Sequence, residues 1–379
     1  MNIAVDTRVL MNPTRTGVGE YTYELLNALF KIDKQNQYYL FYNSSKDVSK
    51  NVQLWDQENV HYVSTRWPNK IFNLFQKFFK YPKLDSLVKQ DLDAWFSPNL
   101  NFTVISKKTK YILTIHDLSF EILPECFSLK RRMWHKIINP KKQCERADLI
   151  LTPSENTKRD VVELYDVEES KVSFVRPGLC SNFGKLETLQ FGGQAGNWKR
   201  QVKQKYNLPD KFILFLGTIE PRKNIEGIIE AFEKANSINN HYSLIIAGAK
   251  GWKYDIIMDK IEKTPGVRYL GFLDESEKQA LYELASLFVY PSLYEGFGFP
   301  VLEAMACGTP VLTSNRTSLP EVAGNKAFLV NPHNTSEIAS GMEMLLNGDS
   351  IYNKITEEAK KHAERFSWDE TAREFLNLI

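Results

Sequence analysis

The stretch "FLGTIEPRKNIEGIIEAF", residues 215–232, decides the fold. An apolar strand ends at Gly217, a short loop carries Arg222 and Lys223, and a helix follows with Asn224 placed to cap it. Such a strand–loop–helix unit recurs along the chain. Short apolar runs at "NIAV", "YYLFY", "VHYV", "AWFS", "YILTI", "LILT" and "VSFV" alternate with helical stretches such as "GEYTYELLNALFKI". A second series starts at "FILFLG" and continues through "SLIIAG", "VRYLGF", "LFVYPS", "PVLTS" and "AFLVNP". Strands alternating with helices predict an α/β chain with parallel sheets and helices on both faces.

At 379 residues the chain is too long for one core, so two domains are expected. Between the two series, "GKLETLQFGGQAGNWKRQVKQKY" (184–206) is rich in Gly, Gln and Lys and predicts a linker or insertion. The expected division is a first Rossmann-like domain over 1–183, the linker, and a second over 207–360. The terminal helical stretch, about 361–379, is expected to pack back on the first domain. Two doubly wound halves facing each other would hold a ligand in the cleft between them, at the carboxyl ends of the strands.

Forty-eight basic and 46 acidic residues give a net charge of +2, so no global field favours nucleic acid or membrane. Met1 leads directly into "NIAVD", without the features of a signal peptide, and no run reaches membrane-spanning length, which predicts a cytoplasmic protein. Cys126, Cys144, Cys180 and Cys307 are dispersed, unlike a zinc site or a disulfide framework, and are expected to be buried thiols.

A second chemistry-bearing stretch is "EGFGFPVLEAMACGTP", 295–310. Pro300 suits a helix's first turn and Gly308 the position after its end. The first-turn amides, with those of Gly296 and Gly298, would form an anion site. Glu295 and Glu303 would bracket a phosphate there and accept hydrogen bonds from hydroxyls on either side. A sugar joined to a nucleoside diphosphate has that layout. The plainer reading makes Glu303 a solvated helix residue and the glycines turn formers. Arg222 and Lys223, beyond a strand's carboxyl end, would stabilise charge on a departing diphosphate; otherwise they are solvated loop cations.

Further along, "YILTIHD" delivers His116 to a strand end, a weak signal alone. Gly17-x-Gly19 precedes a helix, but Thr22 replaces the third glycine of a dinucleotide fingerprint and the loop is too long for one. A flexible glycine loop over the cleft is expected instead. "DLD" (91–93) has a metal-binding spacing but lies before a strand, at the end of the sheet away from the cleft, and is read as a loop. "RWPNKIFNLFQKFFKYPKLDSL" (66–87) interleaves Lys70, Lys77, Lys80 and Lys83 with aromatic and aliphatic residues. Such a segment suits an anionic membrane surface, and equally a helix packed on its own sheet with its lysines outward.

Taken together, "EGFGFPVLEAMACGTPV" resembles the E-x7-E signature of the retaining glycosyltransferases of family 4, and "GTIEPRKN", "TIHD", "TPSENTKRD" and "FSWDETA" follow the family order across most of the chain. The resemblance implies the GT-B fold and no metal or other cofactor. It implies that Glu295 contacts donor-sugar hydroxyls with the amides of Gly296, Phe297 and Gly298, that Glu303 binds the ribose, and that Arg222 and Lys223 hold the diphosphate. His116 would touch the sugar near the reacting carbon, Gly17 and Gly19 would lie beside the donor phosphates, and the backbone near Gly271 and Phe272 would read the base. Many relatives carry a basic residue where this chain has Thr218, so the first phosphate cation falls to Arg222. "GTIEPRKN" together with "VDTRVL…TGVGEYT" resembles the mannosyl- or rhamnosyl-type transferases of bacterial polysaccharide synthesis. That implies GDP-mannose as donor and a saccharide or lipid-linked saccharide acceptor; the charge balance leaves no nucleic-acid partner expected, and the membrane reading of 66–87 would give peripheral contact with the inner face of the cell membrane. Alternatives are a nucleotide-sugar epimerase of the same fold and an inactive nucleotide-sugar-binding partner subunit; the presence of Glu295 argues against the latter.

Overall fold

The computed structural model describes residues 1–12, 15–48, 55–180, 183, 196–235, 237–238, 240–348 and 350–379. The chain divides into two units. The first comprises Met1–Leu118, Lys130–Gly178 and Ser367–Ile379, and the second Ser119–Leu129 and Leu179–Phe366.

The first unit is built on seven strands: β1 (Asn2–Asp6), β2 (Gln37–Asn43), β3 (Val60–Thr65), β4 (Ala94–Ser97), β5 (Lys110–Thr114), β6 (Leu149–Thr152) and β7 (Val172–Phe174). Their spatial order is β3-β2-β1-β4-β5-β6-β7, all parallel. The order reverses between β1 and β4, where Ile3 pairs with Ala94. The loop acids Asp91 and Asp93 sit at the amino end of this sheet. Asp93 accepts the Asn2 amide at 2.7 Å, and Asp91 pairs with Lys108.

The second unit repeats the plan with β8 (Phe212–Leu216), β9 (Ser243–Ala247), β10 (Val267–Tyr269), β11 (Leu287–Tyr290), β12 (Val311–Ser314) and β13 (Phe328–Val330). Their order is β10-β9-β8-β11-β12-β13, again parallel. The central strands β8 and β11 are buried along their whole length. Helices cover both faces of such a sheet, which is why these strands read as continuous apolar runs rather than alternating ones.

The stretch over 184–206 is not all linker: residues 184–195 lie outside the described residues, but Gly196–Lys205 form a helix. Trp198, Val202 and Tyr206, at four-residue spacing, pack on the second core, and Tyr206 donates to Glu277 at 2.7 Å. That apolar stripe is hidden among Gln and Lys. Cys126, Cys144 and Cys180 are buried thiols, whereas Cys307 is only half-buried.

The last helix, Trp368–Leu378, belongs to the first unit. Trp368 packs edge-on against Tyr21 with ring centres 5.6 Å apart, and Phe375 lies 4.9 Å from Phe96. Gly178 makes this docking possible: a Cβ there would stand 2.2 Å from the Trp368 amide nitrogen. Gly178→Ala should therefore destabilise the first unit by about 2 kcal/mol or more. Amide exchange would show faster exchange in Trp368–Leu378; unchanged protection would contradict the tight approach.

Candidate active site

The charged centre of the second unit lies where β8 and β11 run side by side. The sheet continues from β8 towards β9 and from β11 towards β12. Loops leaving the carboxyl ends of these neighbours therefore diverge and open a crevice. After β8, one 3-10 turn, Pro221–Lys223, follows Glu220. Pro221 pre-sets its φ, and the turn places Arg222 and Lys223 beside β11. The Leu293 amide donates to Arg222 O at 2.9 Å and joins the two loops.

Glu295 receives both cations. Lys223 Nζ donates to its Oε1 at 2.7 Å and Arg222 Nη1 to its Oε2 at 2.8 Å. Arg222 also grips Glu220 Oε1 through Nε at 3.1 Å and Nη2 at 2.8 Å, and donates to Tyr294 O at 2.6 Å. Lys223 Nζ donates to the Tyr290 hydroxyl at 2.5 Å. Two carboxylates and two cations thus form one network, with Glu220 1%, Glu295 6% and Lys223 7% exposed. So little water reaches these groups that each charge depends on its partners.

The electrostatics follow. Burial by itself would push the Glu295 carboxyl up, but Arg222 and Lys223 overrule it and bring it down to about 2. Burial lowers Lys223, and the adjacent Arg222 adds to that; Glu295 acts against both. Glu220 moves the other way, raised by burial despite Arg222. Glu295 is therefore the firm anion of the cluster.

The arch from Glu295 leads into the helix Phe299–Ala306, with Pro300 in its first turn and Gly308 at φ +71 after the C-cap Cys307. Ser318 Oγ lies 2.9 Å from Glu295 O and 2.7 Å from Phe297 O and braces the arch. Gly298, the N-cap, has φ +120, and a Cβ would come within 2.6 Å of Leu319 Cδ2. Glycine is required there for both reasons. The arch thus delivers the positive end of a helix beside the Glu295 cluster. Glu303 is buried on the same helix, its Oε2 accepting from Tyr282 at 2.8 Å. Phe297 is buried, with its ring 4.9 Å from that of Phe299.

The remaining expected residues are placed as follows. Asn224 occupies the N-cap of helix Ile225–Lys234 but does not cap it with its side chain. Its amide donates instead to Pro291 O at 3.1 Å and Pro332 O at 2.7 Å, because φ +57 turns it towards the strand loops. Thr218 packs its methyl group where Gly251 leaves room, 2.7 Å from the place of a Cβ. Gly271 has φ +87 and its carbonyl accepts from Gly248 N at 2.8 Å, while the Phe272 ring is exposed.

In the first unit, Gly17 and Gly19 are not a flexible loop. They lie in the first turn of the helix Gly17–Ile32, with Thr16 as N-cap and its carbonyl accepting from Glu20 N at 2.8 Å. Gly19 is buried, and helix formation from Thr16 onward overrides the glycines' loop preference. His116 follows β5. Its Nε2 lies 2.8 Å from Pro98 O, which can only accept, so Nε2 carries the proton and Nδ1 is an acceptor. Burial lowers its pKa and keeps the ring neutral near pH 7.

Sequence reasoning missed Glu220, Tyr290, Tyr282 and Ser318. Of these only Glu220, in "EPRK", carried a local signal: an acid two residues before an arginine in a proline-started turn.

A model described as "Glycosyltransferase Family 4" matches residues 15–181, and one described as "Glycosyl transferases group 1" matches 197–362. The O-antigen chain mannosyltransferase B of Escherichia coli is 28% identical over 399 aligned residues, spanning 100% of this chain and 99% of that protein. The serotype-specific mannosyltransferase WbdA of Escherichia coli is 34% identical over 247 residues, 62% of this chain, which covers only 29% of WbdA. Sucrose-phosphate synthase from Thermosynechococcus elongatus, at 18% identity, superposes with a TM-score of 0.73 over 100% of this chain and 98% of that one, a likeness of fold.

The low Glu295 pKa has a measurable consequence. A carboxyl lowered from 4.5 to about 2 by folding contributes stability above its unfolded value and loses it as pH falls towards 2. The difference in unfolding free energy between wild type and Glu295→Gln should therefore shrink by about 2 kcal/mol between roughly pH 6 and pH 3. Denaturant titrations at both pH values check this; a constant difference would mean that Glu295 is not held as an anion.

Proposed function

We propose, for a chain that belongs to the two-domain glycosyltransferases these models describe, that it moves mannose from GDP-mannose to a glycan or lipid-linked glycan hydroxyl, retaining the anomeric configuration without a metal ion. The observation that carries this reading is the Glu295 carboxylate fixed between Lys223 and Arg222 at the switch point of the second sheet. Mannose as the transferred sugar draws support from the mannosyltransferase similar to this chain over its full length.

The donor's diphosphate needs positive charge as its bond to the sugar breaks. Lys223 uses two of its three N–H bonds within the cluster, on Glu295 and Tyr290, and keeps one for a phosphate oxygen. Arg222 is engaged with Glu220, Tyr294 and Glu295, so its main work is to hold the two loops and the Glu295 carboxylate in place, adding long-range charge to the site. The amino end of helix Phe299–Ala306 supplies the rest of the anion stabilisation. Glu295, held by Lys223 and Arg222, presents its carboxylate to the hydroxyls of the sugar. Glu303, oriented by Tyr282, takes the ribose hydroxyls, and the peptides around Gly271 and Phe272 take the base. In the first unit, neutral His116 offers Nδ1 to a sugar hydroxyl.

The acceptor hydroxyl attacks the anomeric carbon from the face the diphosphate leaves, and its proton passes to the departing phosphate oxygen. No protein carboxylate has to act as nucleophile, since both acids are engaged in binding, unlike the paired acids of glycosidases. Among the described residues no helix is long and apolar enough to cross a membrane. Peripheral contact through 66–87 remains part of the proposal. In the helix Asn69–Phe78, Phe72 is buried while Ile71, Leu74 and Phe78 are exposed beside the lysines.

Incubation with labelled GDP-mannose and an α-mannoside acceptor tests the reading. Lys223→Ala and Glu295→Ala should each lower kcat at least about 100-fold with the far-ultraviolet circular dichroism unchanged. A chelator should leave the wild-type rate intact. Near-normal turnover in either variant removes the site assignment. Loss of activity with the chelator removes the metal-free mechanism, and epimerised donor without transfer points to the epimerase.

A further inference from the structure

Tyr290, the last residue of β11, is 1% exposed, and its ring stacks nearly parallel on Phe215 and on Phe288, with ring centres 5.7 Å away in each case. The Thr313 hydroxyl donates to Tyr290 O at 2.9 Å and ties its backbone to β12. A phenylalanine would complete that stack without burying a hydroxyl, which is unfavourable unless the group finds partners. The partners lie in the charged cluster. Lys223 Nζ is 2.5 Å from the Tyr290 hydroxyl but 5.0 Å from the ring centre, so the ammonium meets the oxygen and not the face of the ring. An ammonium can only donate, so the hydroxyl oxygen accepts from it, and the hydroxyl's own proton turns to the Glu295 carboxylate. Lys223 Nζ also donates to Glu295 Oε1 at 2.7 Å, which closes a triangle of hydrogen bonds between the three side chains.

We infer that Tyr290 is a positioning residue for sugar transfer, its hydroxyl aiming the remaining N–H of Lys223 at the diphosphate of the donor. The nitrogen is tetrahedral. With one N–H fixed on Tyr290 and another on Glu295, the third has a single direction left, whereas Glu295 alone would let the ammonium turn about one hydrogen bond. The stacked ring and the Thr313 contact make the hydroxyl a rigid support for that aim. That the target is a diphosphate rests on the function proposed above; the hold of Tyr290 on Lys223 does not.

The contact also has a consequence in pH. Burial lowers Lys223 and Arg222 on the same turn adds to this, while Glu295 from the arch and Glu220 before the turn oppose both. Burial and then Glu295 push the Tyr290 hydroxyl well above its ordinary value, so it stays protonated and accepts from the ammonium as a neutral group. Accepting from the charged form favours that form. Removing the hydroxyl therefore lowers Lys223 further, and its charge is lost at a lower pH.

Tyr290→Phe in the full chain, which keeps the stacked ring and should leave the far-ultraviolet circular dichroism unchanged, tests the inference. Competitive acetylation of lysines read by peptide mass spectrometry, with no donor present, should show Lys223 titrating about one pH unit lower than in wild type. Transfer from GDP-mannose should lose at least about tenfold in kcat, with a smaller change in the donor KM, and the alkaline limb of the kcat profile should move down by about one unit. Identical titration of Lys223 in the two proteins overturns the inference whatever the rates, because any loss of activity would then come from packing. Wild-type kcat with a wild-type pH profile in the variant overturns it as well. A shifted Lys223 in a chain that transfers nothing from GDP-mannose upholds the hold of Tyr290 on Lys223 and counts against the proposed donor instead.

Discussion

The site depends on one interaction: a carboxylate, Glu295, shared by Arg222 and Lys223 where little water reaches. Each loop brings charge that could not be buried alone. Without Glu295, burial and Arg222 would drive Lys223 further towards its neutral form, and without the cations burial would push the Glu295 carboxyl up. Beside both cations Glu295 stays ionised, which is the state needed to accept sugar hydroxyls. Glu220 completes the balance, so Arg222 and Lys223 remain close together without the full cost of like-charge repulsion. A buried network of this kind is weak as a source of net stability and strong as a means of fixing geometry.

The fold exists to bring those loops together. Because β8 and β11 are adjacent while their sequences lie more than seventy residues apart, the crevice at their carboxyl ends gathers the polar groups. Fully buried strands leave little freedom for the loop roots. Gly298, at φ +120 against Leu319, and the Ser318 brace then set where the arch passes before the helix begins. The first unit uses the same design: β4 and β5 present Pro98 and His116 to each other, and that hydrogen bond selects the imidazole tautomer.

Much of this was legible in the residues. The alternation of apolar runs with helical stretches gave both parallel sheets because strands buried on two faces have no polar positions to confuse the pattern. Pro300 and Gly308 bounded their helix for local steric reasons, which sequence exposes well. What escaped were matters of partner and competition. Nothing near Arg222 announces that Tyr294 and Glu295, more than seventy residues later, take two of its hydrogen bonds, so as a lone residue it reads as a phosphate cation. Asn224 is a good capping residue by type, yet carbonyls of Pro291 and Pro332 compete for its side chain. Gly17 and Gly19 suggested a loop, but Thr16 and the long apolar helix behind them settle the backbone as helical. The helix Gly196–Lys205 was hidden because only Trp198 and Val202 within it face the core.

Calorimetric titration of the intact chain with GDP-mannose in metal-free buffer addresses the central claim most directly. The account predicts saturable binding at one site, weakened about 10- to 100-fold when Lys223 becomes methionine. Binding that is indifferent to that substitution, or that appears only when a divalent ion is added, would contradict it.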